Sequence, residues 1–428
     1  MLNNTKQYQV VKLGNFVVIL YNFPAKSIYF DIAFKVGSRY EDEKSNGLSH
    51  LIEHLYGEAI VDSFKSHPWV RHYVDDTFYA YTTEDRTNFE FIIHQKDCGK
   101  AIKLISQVAR GFKIDERAIE FEKEIVLEEI LDHKASDYFW YHKIFRDFYY
   151  NNPLKFEVLG TDKNVKNFST EEIREFVKKY YNLNNAVLTI AGDFNREKIK
   201  KLINREFYYL RKTPGASFAN LNNAEQFSYL EDRIYIKNKK NTPRTFFGYY
   251  YPIFDISARE NVEWEFFREI LNNFLFYKVT SRLPIYSVDT DTRTFHEFIN
   301  FSIEASFGHE KTESFYTLLL KELKRFRKSL TLKEFNYFKE RKITSLDLDK
   351  DDIRESANML SWYAIMFGVN NILTLSDQQK IIESMNIRKI YYYFDLLFKN
   401  NKGTVVVLGE ISEKIKQKLE RLWRRGVV

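Results

Sequence analysis

Residues 47–57 read GLSHLIEHLYG and hold His50, Glu53 and His54, so that two of the nine histidines flank a carboxylate. Each residue turns an α-helix by about 100°, and residues four apart therefore point only about 40° apart, one turn along the axis. If this segment is helical, both imidazoles leave the same face.

Two neutral imidazole nitrogens at this spacing are a common way to hold zinc, at bond lengths of about 2.0–2.1 Å. Glu53 lies within about 60° of His50 on the same face. Its carboxylate can therefore reach a water on the metal without binding the metal itself, and that position suits a general base. The alternative is a pair of surface histidines on an amphipathic helix. The glutamate between them favours the metal site.

A catalytic zinc site needs a third protein ligand, and the acidic segment 121–132, FEKEIVLEEILD, offers four glutamates. Glu122 and Glu129 are seven residues apart and point almost the same way on a helix, whereas Glu124 and Glu128 point elsewhere. We expect Glu129 to bind the metal and Glu122 to orient a ligating histidine. A solvated acidic helix face is the alternative.

Strand-like and helix-like segments alternate along the chain, and one such unit occurs twice. Residues 185–207, NAVLTIAGDFNREKIKKLINREF, have the pattern of a strand, a turn of glycine and acid, and a lysine-rich helix. Residues 404–423, TVVVLGEISEKIKQKLERLW, repeat this pattern. The two turn glycines, Gly192 and Gly409, are 217 residues apart, which is about half of the chain. The spacing predicts an internal duplication.

We predict two homologous α+β halves, residues 1–211 and 228–428, joined by a linker at 212–227 where Pro, Gly, Ser and Asn cluster. The first half is the zinc-binding, catalytic one. The simplest architecture for each half is a mostly antiparallel sheet with helices packed on one face. Ser45 or Asn46 is available to cap the helix that carries the two histidines.

Composition restricts the class of protein. A net charge of +6 over 428 residues is a weak argument for nucleic acid, and the basic runs 321–330 and 421–428 are typical of solvated helix faces. Cys98 is the only cysteine, which excludes an internal disulfide framework. The N-terminus lacks a signal-peptide pattern, and no segment has the ~18 consecutive apolar residues that a membrane span needs. We expect a cytoplasmic protein that binds neither nucleic acid nor membrane.

Two segments resemble a known family: VGSRYEDEKSNGLSHLIEHL (36–55) and FEKEIVLEEI (121–130). They are similar to the pitrilysin/insulinase family of zinc metallopeptidases, whose motif is His-x-x-Glu-His followed by a more distant glutamate. The match falls on Glu129, 79 residues beyond His50. The resemblance therefore implies that Zn²⁺ is bound by His50, His54 and Glu129.

The resemblance also implies that Glu53 is the general base and that Glu122 stands beside the ligands. It implies a clamshell of two halves per chain, with two chains enclosing a chamber, so we expect a homodimer or a heterodimer with a related chain. In this family, unfolded peptides are held by strand addition to an exposed edge. The matching edge is residues 77–83, TFYAYTT, with the candidate substrate-facing residues Phe78, Tyr79, Ala80, Tyr81 and Thr82.

The sequence departs from the family pattern in residues 75–80 and in the second half. Residues 75–80 read DDTFYA where the family usually has Gly-Gly-x-x-Asn-Ala, so we expect an unusual substrate preference. In the second half the family carries an Arg and a Tyr, seven apart, that stabilise the oxyanion. Here Arg282 and Tyr286 are only four apart. We take both as candidate catalytic residues. Either a deletion has reshaped this loop or a partner chain supplies the pair, and an ordinary role at the entry to a strand is the alternative.

The residues and the resemblance together predict a zinc-dependent endopeptidase. We expect it to hydrolyse unfolded peptides in an enclosed chamber, as a leader- or propeptide-processing protease. The alternative is a non-catalytic or partner-dependent subunit of a heterodimeric peptidase. Because all four positions of the metal motif are present, the enzyme is favoured.

Overall fold

The structure is a computed structural model that describes residues 7–67, 69, 73, 76–109, 115–212, 233–296, 298–399 and 402–427. The strands are β1 (Tyr8–Leu13), β2 (Phe16–Asn22), β3 (Ser27–Phe34), β4 (Tyr79–Thr82), β5 (Thr87–His94), β6 (Ala186–Gly192), β7 (Ile234–Asn238), β8 (Thr245–Phe254), β9 (Val288–Thr294), β10 (Phe298–Phe307) and β11 (Thr404–Gly409). Helices of the first sequence half are α1 (Leu48–Lys65), α2 (Cys98–Val108), α3 (Glu116–Lys134), α4 (Asp137–Tyr149), α5 (Asp162–Asn167), α6 (Thr170–Tyr180) and α7 (Arg196–Glu206). Those of the second are α8 (Ala258–Thr280), α9 (Thr312–Ser329), α10 (Leu332–Asp349), α11 (Ile353–Met366), α12 (Leu375–Ser384), α13 (Ile387–Phe398) and α14 (Glu413–Arg425). None of the helices in the described ranges has both the length and the apolar character that crossing a bilayer requires.

The two sheets share one topology. The first has the strand order β1-β2-β6-β3-β5-β4 and the second β7-β11-β8-β10-β9. Without β1, both sheets place their strands, counted along the chain, in the order first, fifth, second, fourth, third. In both, the first and fifth strands run parallel and the other neighbours antiparallel. The predicted α+β class and the predicted duplication are confirmed.

The chain forms two compact units, and each contains pieces of both sequence halves. The first comprises residues 1–139, 150–227 and 350–372, and the second comprises residues 140–149, 228–349 and 373–428. Compared with the predicted halves, most of α4 therefore belongs to the second unit and α11 to the first. The predicted linker, 212–227, lies outside the described residues except for its first residue.

The first sheet buries side chains on both faces. On β3, Phe30 and Ile32 enter the main core with Leu51 of α1. Asp31 points to the opposite face, where it accepts a hydrogen bond from Ser361 of α11. The prediction of helices on one face therefore holds for the main layer. The opposite face of the sheet is covered by α11. The unbroken apolar strand β2, buried along most of its length, is the sequence pattern that such two-sided cover produces.

The N-terminus of α1 is capped by Glu41, which is 3% exposed. Its Oε2 accepts a hydrogen bond from the Gly47 N–H at 2.8 Å, and its Oε1 accepts one from the Ser49 N–H at 2.7 Å. The prediction that Ser45 or Asn46 caps this helix is wrong. The Asn46 amide instead donates to Glu41 at 3.0 Å. The buried carboxyl group of Glu41, whose pKa burial raises to about 7, satisfies the backbone N–H groups at the helix terminus.

Two glycines in left-handed conformations meet at this helix start, Gly47 with φ of 105° and Gly160 with φ of 78°. A Cβ on Gly160 would lie 2.4 Å from the Gly47 Cα and 2.7 Å from the Asn46 carbonyl oxygen. Both neighbouring atoms belong to the backbone, so neither can move aside as a flexible side chain would. The close approach therefore fixes where α1 begins.

Gly160→Ala should lower the free energy of unfolding, measured by urea denaturation, through both backbone strain and this clash. Gly368→Ala is the matched control, because Gly368 has φ of 84° with nothing within 4 Å of its would-be Cβ. The control should lose about 1–2 kcal/mol from φ alone. We expect Gly160→Ala to lose about 1–3 kcal/mol more. Equal losses in the two variants would show that the glycine contact does not constrain the fold.

Candidate functional site

The candidate residues lie where α1 and α3 pack together in the first unit. His50 and His54 leave the same face of α1 one turn apart, as the helical spacing predicts. Their ring centroids are 4.8 Å apart and their planes meet at 70°. His50 is buried and His54 partly buried. The helix thus presents two imidazoles to one small volume.

Glu129 of α3 reaches the space between these imidazoles. Its Oε2 lies 3.5 Å from His50 Nε2 and its Oε1 lies 3.6 Å from His54 Nε2. One possible ligand atom from each of the three residues lies within 4.8 Å of the other two. Glu124 and Glu128 of the same helix are exposed. Of the four glutamates in the acidic segment, α3 therefore brings Glu129 to both histidines.

The geometry of the three side chains fits a zinc ion. A charge-assisted hydrogen bond between nitrogen and oxygen measures about 2.7–2.9 Å, so separations of 3.5 and 3.6 Å are too long for one. Atoms bound to one tetrahedral zinc ion at about 2.0–2.1 Å lie roughly 3.3–3.4 Å apart. Burial, and then the nearby His54, lower the pKa of His50 to about 3. His50 is therefore neutral and has a nitrogen lone pair to offer a metal.

Glu122 contacts the imidazole of His54 at Nδ1, the nitrogen that does not face Glu129. The Glu122 Oε2 lies 3.0 Å from His54 Nδ1, and Glu122 is only 6% exposed. An ionised carboxylate can only accept, so Nδ1 carries the proton and the Nε2 lone pair faces Glu129. Within the described part of the chain, His50 Nδ1 has no hydrogen-bond partner. The two imidazoles are therefore oriented by different means.

Glu53 stands beside the three candidate ligands rather than among them. Its Oε2 lies 4.0 Å from His50 Nε2 and accepts a hydrogen bond from Thr82 Oγ1 at 2.9 Å. Burial raises the pKa of Glu53, while the Thr82 hydroxyl and His54 act in the opposite direction. A buried carboxylate held at this distance can take up a proton from a water near the histidines.

The contact between Thr82 and Glu53 was not predicted from the sequence. The two residues belong to a strand and a helix that are separated along the chain, and no periodic pattern links them. The strand repeat of two does place Thr82 on the same face as Ala80, which packs against the main core. That alternation was the available signal that Thr82 faces the helices.

Strand β4 forms one edge of the first sheet, as predicted for residues 77–83. Its register on β5 runs from Tyr79 opposite Glu90 to Thr82 opposite Thr87. The far side of β4 has no strand partner among the described residues of this unit. Tyr79 is 56% exposed. The other predicted edge residues, Phe78, Ala80, Tyr81 and Thr82, are partly buried.

The candidates of the second half, Arg282 and Tyr286, lie in the loop between α8 and β9 of the second unit. The Arg282 guanidinium forms an ion pair with Glu322 of α9, and Tyr286 is 88% exposed. Their action on a substrate stays a prediction. Of the two acids that depart from the family pattern, Asp76 is exposed and Asp75 lies outside the described residues.

Family comparisons agree with the motif. The model of the insulinase family, peptidase family M16, matches residues 16–162. The model described as the peptidase M16 inactive domain matches residues 167–342. The two models belong to one family and together match well over half of the chain. The first model contains both the histidine motif and the acidic helix, and the second begins after them, within the first half of the chain.

Individual relatives extend this match. The chain is 23% identical to an uncharacterized zinc protease of Rickettsia bellii over 422 residues, which cover 94% of this chain and 98% of the relative. It is 26% identical to the mitochondrial-processing peptidase subunit beta of Saccharomyces cerevisiae over 181 residues, 41% of this chain and 39% of that protein. The fold matches the crystal structure of a protease from Helicobacter pylori with a TM-score of 0.75 at 18% identity, covering 94% of this chain and 99% of that one. With both domain models and a full-length relative aligned, the chain belongs to the insulinase family, peptidase family M16.

Proposed function

We propose that this protein is a zinc-dependent endopeptidase that hydrolyses unfolded peptides. The observation that carries the proposal is the convergence of His50, His54 and Glu129, with their ligand atoms within 4.8 Å of one another. Glu53 lies next to them with its carboxylate buried. Three protein ligands leave a coordination position for water or substrate, as in catalytic rather than structural zinc sites.

Each residue of the cluster has a separate task in this proposal. When bound, zinc supplies Lewis acidity that lowers the pKa of water and polarises a carbonyl. Glu53 accepts a proton from the attacking water and later donates it to the leaving amine. The Thr82 hydroxyl holds the Glu53 carboxylate at its Oε2. Glu122 holds the proton of His54 on Nδ1 and so keeps Nε2 directed at the metal position.

The substrate is proposed to be an extended peptide chain. Strand β4 is short and lies at the edge of its sheet, and a peptide added to such an edge gains backbone hydrogen bonds that do not depend on its sequence. One end of β4 contacts Glu53 through Thr82, so a peptide paired there lies near the candidate ligands. Folded proteins lack the free extended segment that this mode of binding needs.

Processing of leader or propeptide segments within a chamber formed by two chains is the finer part of the proposal. It is supported by the similarity to a protein named as a subunit of a processing peptidase. We propose that Arg282 and Tyr286 stabilise the oxyanion. The phenol of Tyr286 is exposed, whereas Arg282 would first have to leave Glu322.

The second candidate function is a subunit that needs a related partner chain for activity. It is favoured by the match of residues 167–342 to a domain described as inactive. Hydrolysis by the purified chain alone, compared with hydrolysis after addition of a related chain from the same organism, separates the two. Activity of the chain alone supports the first proposal, and activity only after addition supports the second.

Glu53→Gln should abolish hydrolysis, because the amide cannot accept the proton of the attacking water. Zinc should stay bound, because residue 53 is not a candidate ligand. We expect hydrolysis of a peptide library, followed by mass spectrometry, to fall by about 10²–10⁴-fold. Zinc content, measured by elemental analysis, should be unchanged. Glu58→Gln is the control, because Glu58 is an exposed residue of the same helix. Turnover retained in Glu53→Gln would refute the assignment of the base.

Glu129→Gln should weaken zinc binding, because it replaces a charged ligand by a neutral amide. Glu122→Gln should weaken it by about 10–100-fold, because the partner of His54 loses its charge. The control is Glu128→Gln, since Glu128 is an exposed neighbour on α3. Competition with a chromogenic chelator measures each affinity. If Glu129→Gln binds zinc as tightly as Glu128→Gln, Glu129 is not a ligand.

A further inference from the structure

Helix α11 belongs to the second half of the sequence but to the first compact unit. It packs on β6, β3 and β2, on the face of the first sheet opposite the main core. The chain enters this helix from the second unit and returns to the second unit after residue 372. The helix therefore packs on the face of the first sheet that is turned away from His50 and His54.

Asn358 of α11 makes three polar contacts with the end of the sheet that includes β4. Its Nδ2 donates to the Tyr81 hydroxyl at 2.9 Å and to the Glu90 carboxylate. Its Oδ1 accepts from the Arg86 guanidinium at 3.3 Å. Tyr81 belongs to β4, Glu90 to β5, and Arg86 to the turn between them. One amide thus joins both strands of the hairpin to the helix.

Arg354 lies one turn earlier on α11 and contacts the same hairpin. One guanidinium nitrogen donates to Glu90 Oε2 at 2.7 Å, and the other donates to the Thr77 carbonyl at 3.4 Å. The guanidinium also lies 6.0 Å from the ring centroid of Tyr79. It lies 5.8 Å from the ring centroid of Tyr29 on β3 as well. Glu90 is 1% exposed, so its charge needs these donors. The hydrogen bonds of Arg354 therefore go to Thr77 and to Glu90 of β5, and its ring contacts reach both β4 and β3.

Strand β4 is held on both of its faces by this arrangement. Tyr79 and Tyr81 point to α11, whereas Ala80 and Thr82 point to the main core and to Glu53. Along its edge the strand has only β5 as a partner among the described residues of its unit. A strand of four residues with one neighbour has little stability of its own. The contacts from α11 therefore contribute much of what holds it in place.

We propose that Arg354 and Asn358 are positioning residues for the peptidase reaction, which hold β4 in the register that offers its edge to a peptide and Thr82 to Glu53. This inference rests on the proposed peptidase function. It assigns to a helix of the second sequence half the task of ordering the peptide-binding edge of the first unit. Neither residue contacts the metal position or the substrate in this scheme, since both act through β4.

The test compares four variants of the full chain: Arg354→Ala, Asn358→Ala, Tyr81→Phe and the control Glu355→Ala. Glu355 is an exposed residue of the same helix, between the two positioning residues. Hydrogen–deuterium exchange is measured on peptides that cover residues 79–82, with residues 16–22 of β2 as the internal reference. We expect Arg354→Ala and Asn358→Ala to exchange about tenfold faster at β4. The reference strand and the control variant should not change.

Kinetics give the second measurement, on a peptide chosen from the library as cleaved by the unsubstituted protein. Arg354→Ala and Asn358→Ala should raise KM about tenfold, and Tyr81→Phe about threefold, with a smaller change in kcat. If Arg354 and Asn358 contributed only to packing, their removal would reduce the fraction of folded protein. The apparent kcat would then fall and KM would stay unchanged. The same peptide should bind about tenfold more weakly when Asn358→Ala is introduced into Glu53→Gln protein.

The double variant Asn358→Ala, Tyr81→Phe tests the contact itself. Its KM should equal that of Asn358→Ala, because removing the Tyr81 hydroxyl has no further effect once the Asn358 amide that donates to it is absent. Additive effects would overturn the proposal, as would unchanged exchange at β4. If Asn358→Ala does not fold, Tyr81→Phe, which removes one hydroxyl, decides the outcome.

The positioning role of Arg354 and Asn358 and the peptidase function can be overturned separately. Hydrolysis by the unsubstituted protein, with variants equal to Glu355→Ala in KM and exchange, overturns the positioning role and leaves the peptidase function intact. Absence of hydrolysis by the unsubstituted protein, alone and with a related chain, overturns both. In that case, faster exchange at β4 in the variants would show only that Arg354 and Asn358 stabilise the strand.

Discussion

The convergence of two helix faces on one candidate metal position is the interaction on which the rest of the site depends. Two imidazoles from α1 and the carboxylate of Glu129 from α3 leave separations that are too long for hydrogen bonds and fit zinc coordination. Burying these groups without a cation would leave polar atoms poorly satisfied. A cation bound by these three residues, as proposed above, would explain why such side chains face one another at a packed helix contact.

Precise placement of α1 follows from contacts outside the metal cluster. The buried carboxylate of Glu41 and the approach of Gly160 to Gly47 fix where the helix begins. Farther along, Thr82 of β4 fixes the Glu53 carboxylate. Since β4 is in turn contacted by α11, the candidate base is linked through this strand to a helix on the opposite face of the sheet.

Within the described residues, the cluster of two histidines and a glutamate occurs in one copy of the duplicated fold. Both sheets have the same strand order, and the helix α8 occupies the place in the second half that α1 occupies in the first. Residues 258–280 of α8 contain no histidine, so this helix cannot repeat the imidazole pair. The second half therefore repeats the topology without this pair of histidines. Residues 167–342, which include α8, match a domain described as inactive.

The sequence by itself determined the features that arise from short periodic patterns. The spacing of His50 and His54, the seven-residue spacing of Glu122 and Glu129, and the repeated strand and helix were enough for the fold class and the core of the site. Tertiary structure alone decided the cap from Glu41, the partner of Glu53, and the cover of the first sheet by α11. These join residues far apart in the chain, and a periodic pattern describes only which face of its own element a side chain occupies. Which two faces meet is decided by packing, and packing depends on the whole fold.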